Sequence, residues 1–404
     1  MTRFHLALAG ALMTFAGPAL ADVPSVVENP ATPAEGVVSV DAELLWRVGG
    51  LSEDYLFGIV DASAVADDGT TYLLDEQLSQ VTAIDLEGHE VNTFGREGEG
   101  PGEMTGGQRI MVLGDGRVGV LNMRPPKIIT YDADGMPAGD ISLAGNEGLN
   151  FASNAFANDE SIFVETKNMG FNEKTQTSTD ALRILDPQTG EFVGEVLSKV
   201  EESDRLGEGG RMVVMIGDNF LSSWTLFDDG RVAVVRDDDV YEIEILDSEG
   251  NLLRTIRREA EAVRRPQEAI DDDIAERESL AEQAGFSFDE DDIDTHEPMI
   301  ESVHARANGE LWVLTGEGLA HDRDDVVGIF DVFDAEGRFV RQVELKAAFD
   351  SANDRFTIDG GALVVYEDLV SARGSGFVIQ GSRIAQAEED ETDADPLAIA
   401  RYRF

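Results

Sequence analysis

Two turn signatures alternate along this chain, and their phase constrains the fold more than any other feature. The first is a short Asp/Asn-Gly type signal at Asp67-Asp68-Gly69, Gly114-Asp115-Gly116, Asn158-Asp159-Glu160, Asp228-Asp229-Gly230, Asn308-Gly309 and Asp359-Gly360. The second is Asp-x-x-Gly, from Asp85 to Gly88, Asp132 to Gly135, Asp247 to Gly250 and Asp334 to Gly337, with a version one residue longer from Asp186 to Gly190. Glycine in these places supplies the positive φ that tight hairpins need. Between the signatures lie short runs rich in β-branched and aromatic residues, such as Thr71 to Leu74, Val232 to Val235 and Leu311 to Leu314, with the length and composition of strands.

Strand, turn, strand repeated six times predicts an all-β chain. Three segments read as insertions: Ser198 to Phe220, Arg257 to Pro298 and Ala385 to Pro396. Setting these aside, with the leader 22–36, leaves about 48 residues for each unit, the size of a four-stranded propeller blade. The prediction is a six-bladed β-propeller over 37–404 carrying one helical insertion. The sixth unit stops at Leu397 to Phe404 without its second signature, so Val37 to Val48 is predicted to supply the missing outer strand and close the ring, amino end to carboxyl end. A pair of β-sandwiches is the competing architecture, and it does not explain six evenly phased hairpins.

Met1 to Ala21 has a positive start at Arg3, an apolar run from Phe4 to Phe15 and a small-residue end before Asp22. This reads as a secretory signal cleaved after Ala21, which predicts a periplasmic or secreted protein with no inserted span. The chain holds 81 acidic against 31 basic side chains, a formal net charge of -50, and no cysteine. Such a field repels phosphodiesters and anionic lipid, so nucleic acid is excluded as a partner. The remaining partners are a protein or small-molecule ligand, neutral or cationic, with an anionic one admitted only at a local cluster of basic residues. Disulfides, thiolate nucleophiles and iron-sulfur ligation are excluded as well.

The segment Phe94-Gly95-Arg96-Glu97-Gly98-Glu99-Gly100-Pro101-Gly102-Glu103 resembles the Phe-Gly-Arg-x-Gly-x-Gly-Pro-Gly-Glu signature of exported bacterial six-bladed propellers akin to NHL-repeat and TolB-like proteins. Val65 to Asp75 is similar to that family's first-blade pattern, and Met104 stands where an aromatic is usual. The resemblance implies architecture more than activity.

In such a blade both turn signatures fall on one face, while second-to-third-strand loops and inter-blade crossovers fall on the other. The long segments Gly95 to Gly107, Lys167 to Asp180, Ser198 to Phe220, Arg257 to Pro298 and Gly316 to Asp325 therefore mark a loop-rich face, where binding residues are expected around the channel. Arg257 to Gly285 reads as a helix, and a flap over the channel, a docking arm and a merely solvated insertion all fit it. Candidate ligand-binding residues are the basic Arg96, Arg109, Arg124, Lys127 and Arg236, with Glu97, Glu99 and Glu103 in the glycine-rich crossover. The cations suit a carboxylate or an acidic partner, or else inter-blade ion pairs. The crossover glycines match no phosphate-loop template and read as a stiff turn. No catalytic residue is assigned. The leading expectation is a binding module; the alternative is a calcium-dependent hydrolase of lactones or esters, with the metal in the channel. No cofactor is assigned, and calcium is the ion that an oxygen-rich channel would take. His296, His304 and His321 match no zinc-finger spacing, and no Gly-x-Ser-x-Gly elbow occurs.

Overall fold

The computed structural model describes residues 25–51, 55–123, 125–143, 149–171, 175–204, 220–284, 293–320, 323, 325–373, 378–380, 383–385 and 396–404. The signal reading, Arg124 and His321 lie outside the described residues.

The chain opens with β1 (Ser25–Asn29), β2 (Val37–Asp41) and β3 (Glu43–Gly49). Blade one follows as β4 (Val60–Val65), β5 (Thr71–Asp75), β6 (Gln80–Ile84) and β7 (Glu90–Phe94), and blade two as β8 (Gly107–Val112), β9 (Val118–Asn122), β10 (Lys127–Tyr131) and β11 (Pro137–Ser142). Blade three is β12 (Leu149–Ala157), β13 (Ile162–Phe171), β14 (Thr175–Leu185) and β15 (Phe192–Asp204); blade four is β16 (Ser223–Leu226), β17 (Val232–Val235), β18 (Glu242–Leu246) and β19 (Leu252–Arg258). After α1 (Gln267–Ala284), blade five comprises β20 (Ser302–Ala305), β21 (Leu311–Leu314), β22 (Val326–Phe333) and β23 (Phe339–Lys346), with the short α2 (Gly316–Leu319) between β21 and β22. Blade six starts with β24 (Arg355–Asp359) and β25 (Ala362–Glu367). It is interrupted by α3 (Leu369–Arg373) and the hairpin β26 (Val378–Gln380) and β27 (Arg383–Ala385), and ends with β28 (Ala398–Arg403). Six four-stranded blades thus form a ring, with β4, β8, β12, β16, β20 and β24 innermost.

Alternate side chains of one strand point to opposite faces, so each blade feeds two interfaces. Leu73 packs with Trp46, Val364 and Ile399 of blade six, whereas its neighbour Leu74 packs with Ile110, Val120 and Ile129 of blade two. The buried apolar side chains fall into six clusters, each between two successive blades, and burying each large one contributes about 1.5–3 kcal/mol.

The signature aspartates and asparagines are turn caps. Asp334 accepts from the amides of Glu336 and Arg338, and Asp132 and Asp247 accept in the same way from the second and fourth residues after them. The glycines of this second signature do more than turn the chain. Gly88, Gly135, Gly190, Gly250 and Gly337 each lie against the outer strand of the preceding blade, at Trp46, Phe94, Ile141, Val196 and Ile256. At Gly250 a Cβ would stand 2.2 Å from the carbonyl oxygen of Val196, so no other residue fits without backbone movement. One short motif therefore makes a hairpin and also seats it on its neighbour.

Three expectations need correction. The closing strand is Glu43–Gly49 alone, antiparallel to β28; Val37–Asp41 breaks away and pairs in parallel with β23 of blade five. Farther out, Ser25–Asn29 pairs in parallel with β19 of blade four, so the amino-terminal segment runs along three outer rims. Asn29 fixes this path: its amide nitrogen donates to the carbonyls of Arg257 and Gly337 at 3.0 Å each, and its oxygen accepts from the Phe339 amide at 2.8 Å. Second, the described parts of Lys167 to Asp180, up to Phe171 and from Thr175, are strand and not loop. These residues extend β13 and β14 in register, Lys167 opposite Asp180, and Ser198 to Asp204 extends β15 beside them; β-branched alternation in Thr175, Thr177 and Thr179 suits a strand. Third, α1 begins at Gln267, just after Pro266, because Arg257 and Arg258 are held in β19, where Arg257 Nε donates to Glu242 at 2.6 Å. Among the described residues no helix is long and apolar enough to cross a membrane.

Candidate functional site: the loop-face mouth of the channel

The crossover after blade one is closed on itself by Glu103. Its Oε1 accepts from Arg96 Nε and Nη2 at 2.8 and 2.6 Å, and its Oε2 accepts from the Gly100 amide at 2.8 Å, which with Arg96 holds the carboxyl below the usual range. Glu97 bridges to Met104, the Glu99 amide adds to the bonds on Glu103, and Tyr131 donates to the Gly102 carbonyl at 2.8 Å. Met104 is fully buried beside Phe94 and Tyr131 and fills the position well. The loop's own carboxylate occupies the amide that an external anion would need, so the Arg96 and Glu103 side chains serve the turn, and Glu97 and Glu99 join it through their backbone.

Two of the other basic candidates are similarly committed. Lys127, 8% exposed, donates to Asp140 at 2.8 Å. Arg236 donates to Glu244 at 2.8 Å beside an open hollow of about 290 Å³ that Asp237 and Glu242 also line, the latter held by Arg257. Arg109 differs. It lies near the start of β8 on the innermost ring, at the loop-face end, and makes no ion pair or side-chain hydrogen bond among the described residues. Its charge acts on Asp61 of the neighbouring inner strand β4 and on the buried Tyr366 of β25.

Asp61 was not singled out in the sequence, though the pattern Val60-Asp61-Ala62-Ser63-Ala64 carries a signal. The signal is an acid set among small apolar residues of an innermost strand: Val60 packs toward blade six, Ala62 and Ala64 toward blade two, and the register shift between Val60 and Ala62 takes Asp61 out of the alternation, while Ser63 faces the hydroxyls of blade six. Asp61 Oδ2 accepts from Arg373 Nη2 at 2.5 Å, and the same nitrogen lies 2.8 Å from Glu76 Oε1. Asp61 Oδ1 is buried with no hydrogen-bond partner among the described residues. Burial pushes the Asp61 carboxyl up despite Arg373 and Arg109; burial, with Asp61 next to it, does the same to Glu76. Below them Tyr366 donates to Ser63 Oγ at 2.8 Å, and Thr357 Oγ1 stands 2.9 Å from both hydroxyls. The mouth therefore presents an uncommitted guanidinium, two carboxylates sharing a second one, and a hydroxyl floor. Blades one, two and six all contribute.

The neighbouring Asp75 shows what a purely structural acid looks like here: it is 1% exposed and accepts from the amides of Gly58, Ile59 and Leu78. Elsewhere His304 pairs with Ser302 at 2.9 Å and His296 with Thr295 at 3.1 Å. Among the described residues no three His, Asp or Glu side chains converge in a way that could hold a metal ion.

No family model matches the sequence, and no curated protein matches it closely enough to count as a relative. Among solved structures, an exported protein of Bacteroides fragilis is similar at 12% identity and TM-score 0.49, covering 94% of this chain and 100% of that one. A DUF4221 member from Bacteroides vulgatus is similar at 10% identity and TM-score 0.48, covering 90% and 97%. Regucalcin, a calcium-binding protein from Agrobacterium tumefaciens, is similar at 9% identity and TM-score 0.42, covering 91% and 96%.

Proposed function

We propose that this chain is an exported binding module that receives a carboxylate-bearing small ligand or partner side chain at the loop-face mouth of its channel, with Arg109 as the anchor and no catalytic step assigned. The observation that carries this reading is the contrast among its cations. Arg96, Lys127 and Arg236 are each spent on a carboxylate, while Arg109 has no such partner among the described residues in a chain of net charge -50. An arginine kept free among so many acids offers the bidentate geometry that a carboxylate needs, at the end of the channel where loops can close around it. The surrounding negative field then selects the ligand: a simple polyanion is repelled, and one that also carries positive charge is favoured. The resemblance of Met1 to Ala21 to a secretory signal supports export. A calcium-dependent hydrolase would need oxygen ligands converging on one ion, and nothing among the described residues favours it over binding.

Calorimetric titration of the full chain with acetate, succinate and L-arginine tests this. Arg109→Ala should weaken the best of the three at least tenfold with an unchanged melting temperature. Equal affinities in the two proteins would overturn the anchor.

A further inference from the structure

Arg109 is not alone at the mouth. Arg373 stands between two carboxylates of blade one, and it comes from the insertion of blade six, not from a blade strand. It is the last residue of α3, whose Leu369 and Val370 are buried while its guanidinium reaches out to Asp61 at 2.5 Å and Glu76 at 2.8 Å. Neither acid caps a turn, in contrast with Asp75 beside them. Two half-buried carboxylates on one site are costly unless a cation lies between them, since each must give up hydration and each repels the other. Arg373 meets that need from a short helix on a surface insertion. Nothing in the β ladders obliges the cation to belong to the chain.

We infer that the mouth is built for a ligand carrying both a cationic nitrogen group, guanidinium or ammonium, and a carboxylate, and that Arg373 is the chain's own occupant of the cationic half. On binding, the ligand's cation replaces Arg373 between Asp61 and Glu76, and its carboxylate meets Arg109. The carboxylate half rests on the function proposed above; the cationic half stands without it. The overall acid excess draws such a ligand inward, and the open Arg109 rejects a purely cationic one. Displacing Arg373 also releases both of the ion pairs described between α3 and blade one, so occupancy and the position of the insertion are linked.

The test uses the full chain at fixed ionic strength, titrated with methylguanidinium, agmatine and L-arginine. Arg373→Ala removes the internal competitor, so methylguanidinium and agmatine should bind it at least tenfold more tightly than they bind the wild type. L-arginine, which adds a carboxylate, should exceed agmatine by a further factor of about ten, and Arg109→Ala in the same background should erase only that second factor. Equal methylguanidinium affinity in wild type and Arg373→Ala overturns the cationic half. L-arginine no better than agmatine overturns the carboxylate half and leaves the cationic half standing. Should Arg373→Ala fail to fold, Asp61→Asn with Glu76→Gln in the wild type decides: loss of agmatine binding supports the inference, and retention overturns it.

Discussion

On the turn face, Asp334 accepts two backbone amides and an arginine of its own hairpin, and Asp132 and Asp247 accept the same two amides in blades two and four. On the loop face, Asp61 and Glu76 make no bond to a turn; they meet across blades, through an arginine some three hundred positions away in sequence. The same residue type is thus spent locally on one face and assembled at long range on the other. Where a carboxylate is committed to its own turn it specifies the fold, and where it is held by a distant cation it can exchange partners.

The largest expected effect belongs to the turn face. Gly250→Val places a side chain at φ 81° and drives its Cβ into the Val196 carbonyl. A loss of about 3 kcal/mol or more follows from the strained backbone plus the forced parting of blades three and four. Chemical denaturation would show it, and a loss under about 1 kcal/mol would mean that the turn does not seat the blade.

Next come two groups with opposite pH dependence, Asp354 at the loop-face start of β24 and His304 near the turn-face end of β20. Burial raises Asp354 to about 6, against the pull of the Asp350 and Asp368 amides. The folded protein then holds a proton that the unfolded chain has lost, so this group's contribution is full below about pH 4 and disappears as pH rises to about 6. His304, half-buried beside Phe330 and near Arg306, is lowered by burial to about 4. Its contribution is lost in the other direction, as pH falls from about 6.5 to about 4. The two slopes oppose each other. Asp354→Asn should leave stability rising with pH across this window by about 1–3 kcal/mol relative to the wild type, and His304→Gln should leave it falling by a similar amount. Parallel slopes in all three proteins would contradict both assignments.

Asp334→Ala comes third, at about 1–2 kcal/mol, because its turn loses two accepted amides while the glycine and the ladder remain. Its urea midpoint should fall without a change in slope.

The contrast between faces also explains what could be read from the sequence. Asp85 to Gly88 and its four counterparts act within five residues, so their chemistry is written contiguously, and their number and phase give the blades and the closure. The strand at Glu43–Gly49 was legible because blade six ended without its second hairpin. The parallel partners of Ser25–Asn29 and Val37–Asp41 were not, since an edge strand's choice of neighbour depends on the path along the rim and on Asn29 reaching blade five. Blade three's long strands were read as loops because polar alternation such as Gln176, Ser178 and Asp180 looks the same in a solvated loop and a protruding sheet. At the mouth, Arg109 was among the candidates, but Arg96, Lys127 and Arg236 were indistinguishable from it until their carboxylates were seen. Arg373 carries no local signal at all; its role exists only because the ring brings blade six against blade one.

The smallest expected change in stability is the one that sharpens the comparison most. Lys127 and Arg109 are both basic, both on blade two and both near the loop face, yet Lys127 is buried on Asp140 and Arg109 has no ion-pair partner among the described residues. Lys127→Ala empties the buried place that the lysine stem fills and removes its pair with the exposed Asp140, and should cost about 1–3 kcal/mol. Arg109→Ala removes only a long-range charge that partly offsets the burial of Asp61, so its cost should stay below about 1 kcal/mol, the range of exposed charges. If thermal unfolding ranks the two the other way, Arg109 is a structural cation like its neighbours. A ligand that binds Lys127→Ala normally and Arg109→Ala poorly would separate the roles with both proteins folded.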